Sequence, residues 1–203
     1  MSDGHGDDQH GHDHGDDDQH GHDHDHQHDH DHHHHHDLDA LGASVVTVSS
    51  SRSLDDDPAG DAIAAAFESA GHEIAHRELV GDTFDSVQGV VERLVRRDDT
   101  DVVVTTGGTG VTPDDVTVEA TRPLFDKTLP GFGELFRDLS YDEIGTRVVG
   151  TRAVAGVAGG VPVFCLPGSE NAARLGSEEI IVEEAPHLAG LARRDEEDPD
   201  ADS

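Results

Sequence analysis

A chain of 203 residues holds one ordinary domain with appendages, and its single cysteine, Cys165, excludes an intrachain disulfide framework. The net charge is −32; the first 39 residues hold 13 Asp and no Lys or Arg, so the remainder carries −19 and has no basic stripe to displace counterions from a nucleic acid. No apolar run reaches the about 18 residues of a membrane span and the start is acidic rather than basic-then-apolar, which predicts neither span nor secretory signal and a cytoplasmic protein.

Of the 13 basic residues only Lys127 is lysine, and excess carboxylate with almost no lysine predicts adaptation to multimolar salt. There the Debye length falls to about 3 Å and self-repulsion is screened. In chain order, residues 1–39 are almost entirely His, Asp, Gly and Gln, too apolar-poor to offset chain entropy, and are predicted to be disordered. Their 15 histidines, with the block His32, His33, His34, His35 and His36, offer imidazoles to a transition metal such as zinc, nickel or copper. The folding domain is predicted at residues 40–194, with an acidic disordered tail at 195–203.

Residues 43–48 are an apolar, β-branched run that reads as a buried strand, followed by a polar loop ending at Asp57. Pro58 then opens a helix whose apolar face is Ile63, Ala66, Phe67 and Ala70, and Gly71 stops it. The unit repeats: a strand at 73–80, the loop Gly81-Asp82-Thr83, and a helix with Val87, Val90, Val91, Leu94 and Val95 on one face. A third strand at 101–105 enters a glycine-rich turn. Beyond it, 131–141 reads as helix, 153–158 and 161–166 as strands, and 172–193 as helix with a break near Pro186. Strands alternating with helices predict an α/β fold, a three-layer α/β/α sandwich around a mostly parallel sheet, with ligands at the carboxyl ends of the strands. Cys165 lies in the apolar run 161–166 and is expected to be a buried core thiol.

The strongest local signal is Thr105-Thr106-Gly107-Gly108-Thr109-Gly110 directly after a strand. Glycines let successive N–H groups converge on an anion and threonines add donors, so this turn is a candidate phosphate site. It is neither a Walker loop nor a dinucleotide fingerprint, because the Gly-Lys-Ser/Thr and the third spaced glycine are missing. Asp114, Asp115 and Glu119 follow closely and would repel a bare phosphate, which points to magnesium between them; Asp82 is a further carboxylate on the same rim. Helix N-capping is the competing role for Asp114 and Asp115. Two more loops suit ligand contact: Gly131, Gly133 and Glu134 in Pro130-Gly131-Phe132-Gly133-Glu134, and Pro167, Gly168 and Ser169 in Leu166-Pro167-Gly168-Ser169.

In this order, and with Arg152-Ala153-Val154-Ala155-Gly156, Val48-Ser49, Asp57-Pro58-Ala59-Gly60 and Val80-Gly81-Asp82, these motifs resemble the MoaB/MogA family of molybdenum cofactor biosynthesis proteins over about residues 43–192. The composition adds the expectation of a halophilic archaeal member. The resemblance implies a homotrimer or a hexamer built as a dimer of trimers. It also implies a nucleotidyltransferase reaction: the terminal phosphate of molybdopterin attacks the α-phosphate of ATP with magnesium, giving adenylylated molybdopterin and pyrophosphate. By motif position it assigns catalytic and magnesium-binding roles to Asp82 and Asp115, a neighbouring acidic position to Glu119, and pterin and phosphate binding to the glycine-rich and Leu-Pro-Gly-Ser loops. Arg152 and Arg137 are candidates to offset substrate charge. The alternatives are a non-catalytic molybdopterin-binding protein with a metal-buffering His-rich segment, or a molybdenum-insertion type of domain. The chain departs from the family pattern where Pro58-Ala59-Gly60 replaces the commoner Ser-Gly and where Thr151 precedes Arg152 in place of Ser.

Overall fold

The computed structural model describes residues 37–197, so the expectations for the histidine-rich segment, His32 to His36 included, and for residues 198–203 lie outside the described residues. Strand and helix alternate from the start: β1 (Gly42–Val48), α1 (Pro58–Ser69), β2 (Glu73–Val80), α2 (Phe84–Leu94), β3 (Val102–Thr106) and α3 (Thr117–Thr121). The second half holds β4 (Lys127–Thr128), α4 (Pro130–Ile144), β5 (Val154–Ala158), β6 (Val161–Leu166), α5 (Glu170–Gly176) and α6 (Val182–Glu197). The strands form one sheet in the order β2-β1-β3-β6-β5-β4. The first four are parallel, and β5 and β4 are antiparallel to their neighbours.

Strands β1, β3 and β6 are buried on both faces, as continuous Val-rich runs require, and their alternate residues feed two separate cores. Ala43, Val45, Val102, Val104, Phe164 and Leu166 point to one face, where α1 (Ile63, Phe67), α4 (Phe132, Phe136) and α6 (Ala185, Ala189) cover them. Val46, Val48, Val103, Val163 and Cys165 point to the other, covered by α2 (Val87, Val90, Val91, Leu94) and α3 (Ala120). The result is the three-layer α/β/α sandwich. Phe67, Phe136 and Phe164 are fully buried, and each contributes about 1.5–3 kcal/mol by leaving water.

Helix ends follow local chemistry. The Asp57 side chain accepts from Gly60 N to cap α1, Pro58 supplies the first helical residue, and Gly71 leaves the helix at φ 87°. Thr83 caps α2 through Ser86 N. The predicted break near Pro186 falls elsewhere: the interruption is a π-helical turn at Ser177–Ile181, and Pro186 lies inside α6. Helix α6 also runs to Glu197, three residues past the predicted domain end. Among the described residues no helix is long and apolar enough to cross a membrane.

Candidate active site

Strand β1 connects through α1 to β2 on one side, whereas β3 lies on its other side, so the chain reverses its direction of travel across the sheet at the β1–β3 boundary. Loops part at such a switch point and leave a crevice at the carboxyl ends of the strands. A cleft of about 440 Å³ lies there. It is lined by the segment after β1 (Ser49, Ser51, Arg52), the glycine-rich loop after β3 (Thr106 to Gly110), Asp115, Gly150, Thr151, and Pro167 and Gly168 after β6.

The predicted glycine-rich loop is therefore one wall of the cleft. Gly107 and Gly108 have φ of 99° and 65°, and a Cβ would lie 2.4 Å from Val48 O at the first and 2.4 Å from Thr117 Oγ1 at the second. Only glycine fits either position. Gly107 N donates to Leu166 O at 3.0 Å, Thr106 Oγ1 to Pro167 O at 2.9 Å, and Thr117 Oγ1 to Gly107 O at 2.8 Å. These bonds join the loop to β6 and α3, so it is pre-formed.

Arg52 has no signal in the sequence, and Asp57 enters it only within the Asp57-Pro58-Ala59-Gly60 motif, with no site role. Ser49 Oγ accepts from the backbone N of Ser51 and Arg52, folding the chain back so that Arg52 Nη2 donates to Gly168 O at 3.1 Å while Nη1 lies 3.7 Å from Asp57 Oδ1. Asp57 is 1 % exposed. Its Oδ2 accepts from Thr47 Oγ1 at 2.6 Å and Arg77 Nη2 at 3.1 Å, and its Oδ1 accepts from Gly60 N at 3.1 Å. Burial works against ionisation, but the donors from Thr47, Gly60 and Arg77 outweigh it and hold the carboxyl below its ordinary value. The sequence carried one usable signal, an acid directly before the helix-opening Pro58.

The three acidic candidates separate. Asp115 lines the cleft, and its Oδ2 accepts from Thr112 N at 2.8 Å and Thr112 Oγ1 at 2.7 Å. Burial raises its pKa, yet the bonds from Thr112 and Gly110 and the charge of Arg152 hold it below the ordinary value, so it is ionised at neutral pH. Glu119 forms a two-point ion pair with Arg152, through Nη1 and through Nη2 at 3.1 Å. Arg152 also donates to Gly110 O at 2.7 Å and Asp115 O at 3.1 Å. It is the strut between the glycine loop and α3, a structural role. Asp82 follows β2, two strands from the glycine loop, which at the usual spacing is about 10 Å, and it does not line the cleft. Among the described residues no group of three or more metal-ligating side chains converges, and Asp82, Asp115 and Glu119 are not brought together. The reason is the local partners: Thr112 takes one oxygen of Asp115, and Arg152 takes both of Glu119. Neither Asp114, which is exposed, nor Asp115 caps α3, whose N-cap is Val116.

The remaining candidates also divide. Gly133 and Glu134 line a second cleft of about 460 Å³ that shares Thr151 with the first and contains Glu119, Arg122, Arg137 and Arg152. Gly131 faces elsewhere, onto an apolar groove with Phe132, Leu135 and Phe164. Ser169 spends its hydroxyl on Ala172 N as the N-cap of α5 and lines a separate small pocket behind Pro167. Neither residue lines the main cleft. Cys165 is fully buried as expected, and burial pushes its thiol up.

Residues 44–187 match the family described as "probable molybdopterin binding domain". The chain belongs to the MoaB/MogA family of molybdenum cofactor biosynthesis proteins. Molybdenum cofactor biosynthesis protein B of Bacillus subtilis is 42 % identical over 158 residues, covering 77 % of this chain and 93 % of the relative. The Escherichia coli K12 protein of the same name is 41 % identical over 150 residues, covering 74 % and 86 %. The crystal structure of the tungsten cofactor synthesizing protein MoaB from Pyrococcus furiosus superposes with a TM-score of 0.69 at 39 % identity, over 77 % of this chain and 99 % of that one. The MoaB/MogA match begins at Ser44, so the histidine-rich segment lies outside it. It spans both clefts: Arg52 and Asp57 near its start and the Pro167-Gly168 turn near its end all fall inside.

Proposed function

We propose that this MoaB/MogA member adenylylates molybdopterin, with ATP and magnesium, in the cleft at the β1–β3 switch point. The observation that carries the reading is the pre-formed glycine-rich wall, with Asp115 against Gly110 and Arg52 lining the same cavity. An oxygen of the molybdopterin phosphate forms a bond to the α-phosphorus of ATP. The bond from that phosphorus to the bridging oxygen breaks, and its electron pair leaves on pyrophosphate. The chemistry asks for alignment of two polyanions and neutralisation of charge, and little else.

Within the loop, Gly107 N and Gly110 N are committed to Leu166 O and the Asp115 carboxylate. Gly108 N and Thr109 N are then the donors assigned to a phosphate, and the Arg52 guanidinium is the neighbouring cation. Magnesium suits what Asp115 offers, an ionised carboxylate in the cleft wall: the ion favours one or two carboxylates with waters and phosphate oxygens. When bound it would neutralise charge on the phosphates. Asp115 would hold it, without Glu119 and without Asp82 in the same cleft.

The dispersal of those carboxylates favours a second reading, molybdopterin binding without catalysis. Incubating the full chain with molybdopterin, ATP and magnesium in high salt separates the two. Release of pyrophosphate with an adenylylated pterin supports the enzyme; unconsumed ATP with bound pterin overturns it. A molybdenum-insertion role, a homotrimeric or hexameric assembly, and transition-metal binding by the histidine-rich segment are proposals from the sequence alone.

A further inference from the structure

We propose that the second cleft is an oligophosphate site, the place where the diphosphate part of the nucleotide rests before it leaves. In a domain this acidic, arginines find carboxylates: Arg77, Arg93, Arg152 and Arg193 each sit in an ion pair. Among the described residues Arg122, Arg137 and the exposed Arg147 have no ion pair with a carboxylate, and the first two line this one cleft. Arg137 is half-buried rather than extended into water. It lies back over Gly133, where a Cβ would come within 2.8 Å of Ala153 O and 3.1 Å of Arg137 Nη1, so a side chain there would displace either the helix or the guanidinium.

The charge balance of the cleft follows from its partners. Glu119 is matched by Arg152, which leaves Arg122 and Arg137 facing the single unmatched carboxylate of Glu134. The cavity is thus net positive in a domain of strongly negative charge, and a guanidinium fork is the side chain best shaped for phosphate oxygens. Thr151 borders both clefts, so a phosphate chain anchored on the glycine loop continues past it into the second cavity. The assignment to the leaving diphosphate rests on the adenylylation reading; the oligophosphate site does not.

The test is calorimetric titration of the full chain with inorganic pyrophosphate, without magnesium, at one fixed salt concentration. The Arg122→Gln, Arg137→Gln double variant is expected to weaken binding at least about tenfold, and Glu134→Gln to tighten it, because it removes the one repelling charge. Arg122→Gln alone, at an exposed position, is expected to weaken binding about threefold and keeps the test valid if the double variant fails to fold. Arg93→Gln, outside both clefts, is expected to leave binding unchanged. Absence of pyrophosphate binding by the unaltered chain, unchanged binding in the arginine variants, or equal weakening by Arg93→Gln would overturn the site. Pyrophosphate binding that follows these residues while no adenylylated pterin forms would keep the site and sink the reaction. Product formation with binding indifferent to Arg122 would do the reverse.

Discussion

Asp57 and Asp115 stand on neighbouring loops at one rim of the sheet, and both carboxyls are held below the ordinary value by donors that outweigh burial. Their surroundings differ. Asp57 is 1 % exposed and both its oxygens are bound, by Thr47, Gly60 and Arg77, so it joins β1, α1 and β2 into one unit and has nothing left for a ligand. Asp115 is partly exposed in the cleft wall, where Thr112 binds its Oδ2. A lowered pKa therefore does not by itself mark a working residue. What separates the two is exposure: Asp57 is closed off from the cleft, whereas Asp115 lines it.

The largest expected effect breaks the structural side of this pair. Asp57→Ala removes the cap of α1 and the buried acceptor of Thr47, while Arg77 keeps its ion pair with Asp61, and is expected to cost about 1–3 kcal/mol of unfolding free energy, read by urea melts. Asp115→Asn is expected to shift stability by less than about 1 kcal/mol, because Thr112 keeps an acceptor, and to lower adenylylation about 10²- to 10³-fold in a pyrophosphate-release assay. An Asp115→Asn protein that melts like Asp57→Ala would make both carboxylates structural and erase the contrast.

Acid titration sharpens the same contrast. A folded-state pKa below the ordinary 3.8 means that the contribution of Asp57 is complete above that value and is lost as pH falls through the folded pKa. The stability gap between the unaltered chain and Asp57→Ala should accordingly be constant near neutrality and narrow below about pH 4. A gap that persists undiminished to pH 2 would mean that the charge of Asp57 is irrelevant and only its shape counts. Asp82→Asn should do less again: a partly exposed side chain outside the cleft predicts a stability change within about 0.5 kcal/mol and an activity loss well short of that of Asp115→Asn. Equal loss in the two variants would show that substrate reaches across β1 to the second strand's loop.

The fold was legible in the sequence because its central strands are uninterrupted apolar runs and its loops are punctuated by Pro58, Gly71 and the glycines after β3. The glycine-rich wall was legible for the same reason, since positive φ at Gly107 and Gly108 demands that residue type. Arg52 and Asp57 were not, because their roles arise from contacts with Gly168 and Arg77, which lie 116 and 20 residues away and meet them only through the sheet order. Ser169 and Glu119 show the opposite case, motif residues whose local partners only the structure reveals. Each has the right chemistry in the right motif, but a helix end claims the hydroxyl and Arg152 claims the carboxylate.

The smallest effect on catalysis is expected from removing residues 1–36. The described chain begins at Asp37, whose Oδ1 lies 2.8 Å from His187 Nδ1 on α6, and Leu38 N donates to Pro186 O at 3.4 Å. These contacts precede the amino end of β1, whereas the cleft sits at the carboxyl ends of the strands, so the cut falls on the rim away from the site. It must spare Asp37, which would otherwise leave His187 without its partner. Pyrophosphate release with magnesium as the only metal should then stay within about twofold of the full chain, since the family match that spans the cleft begins at Ser44. High-capacity nickel or zinc binding should disappear with the 15 histidines, and in the full chain it should fade below about pH 6 as the imidazoles take up protons. Collapse of turnover in the truncated protein would mean that the histidine-rich segment completes the active site. The contrast between Asp57 and Asp115 would then describe only part of it.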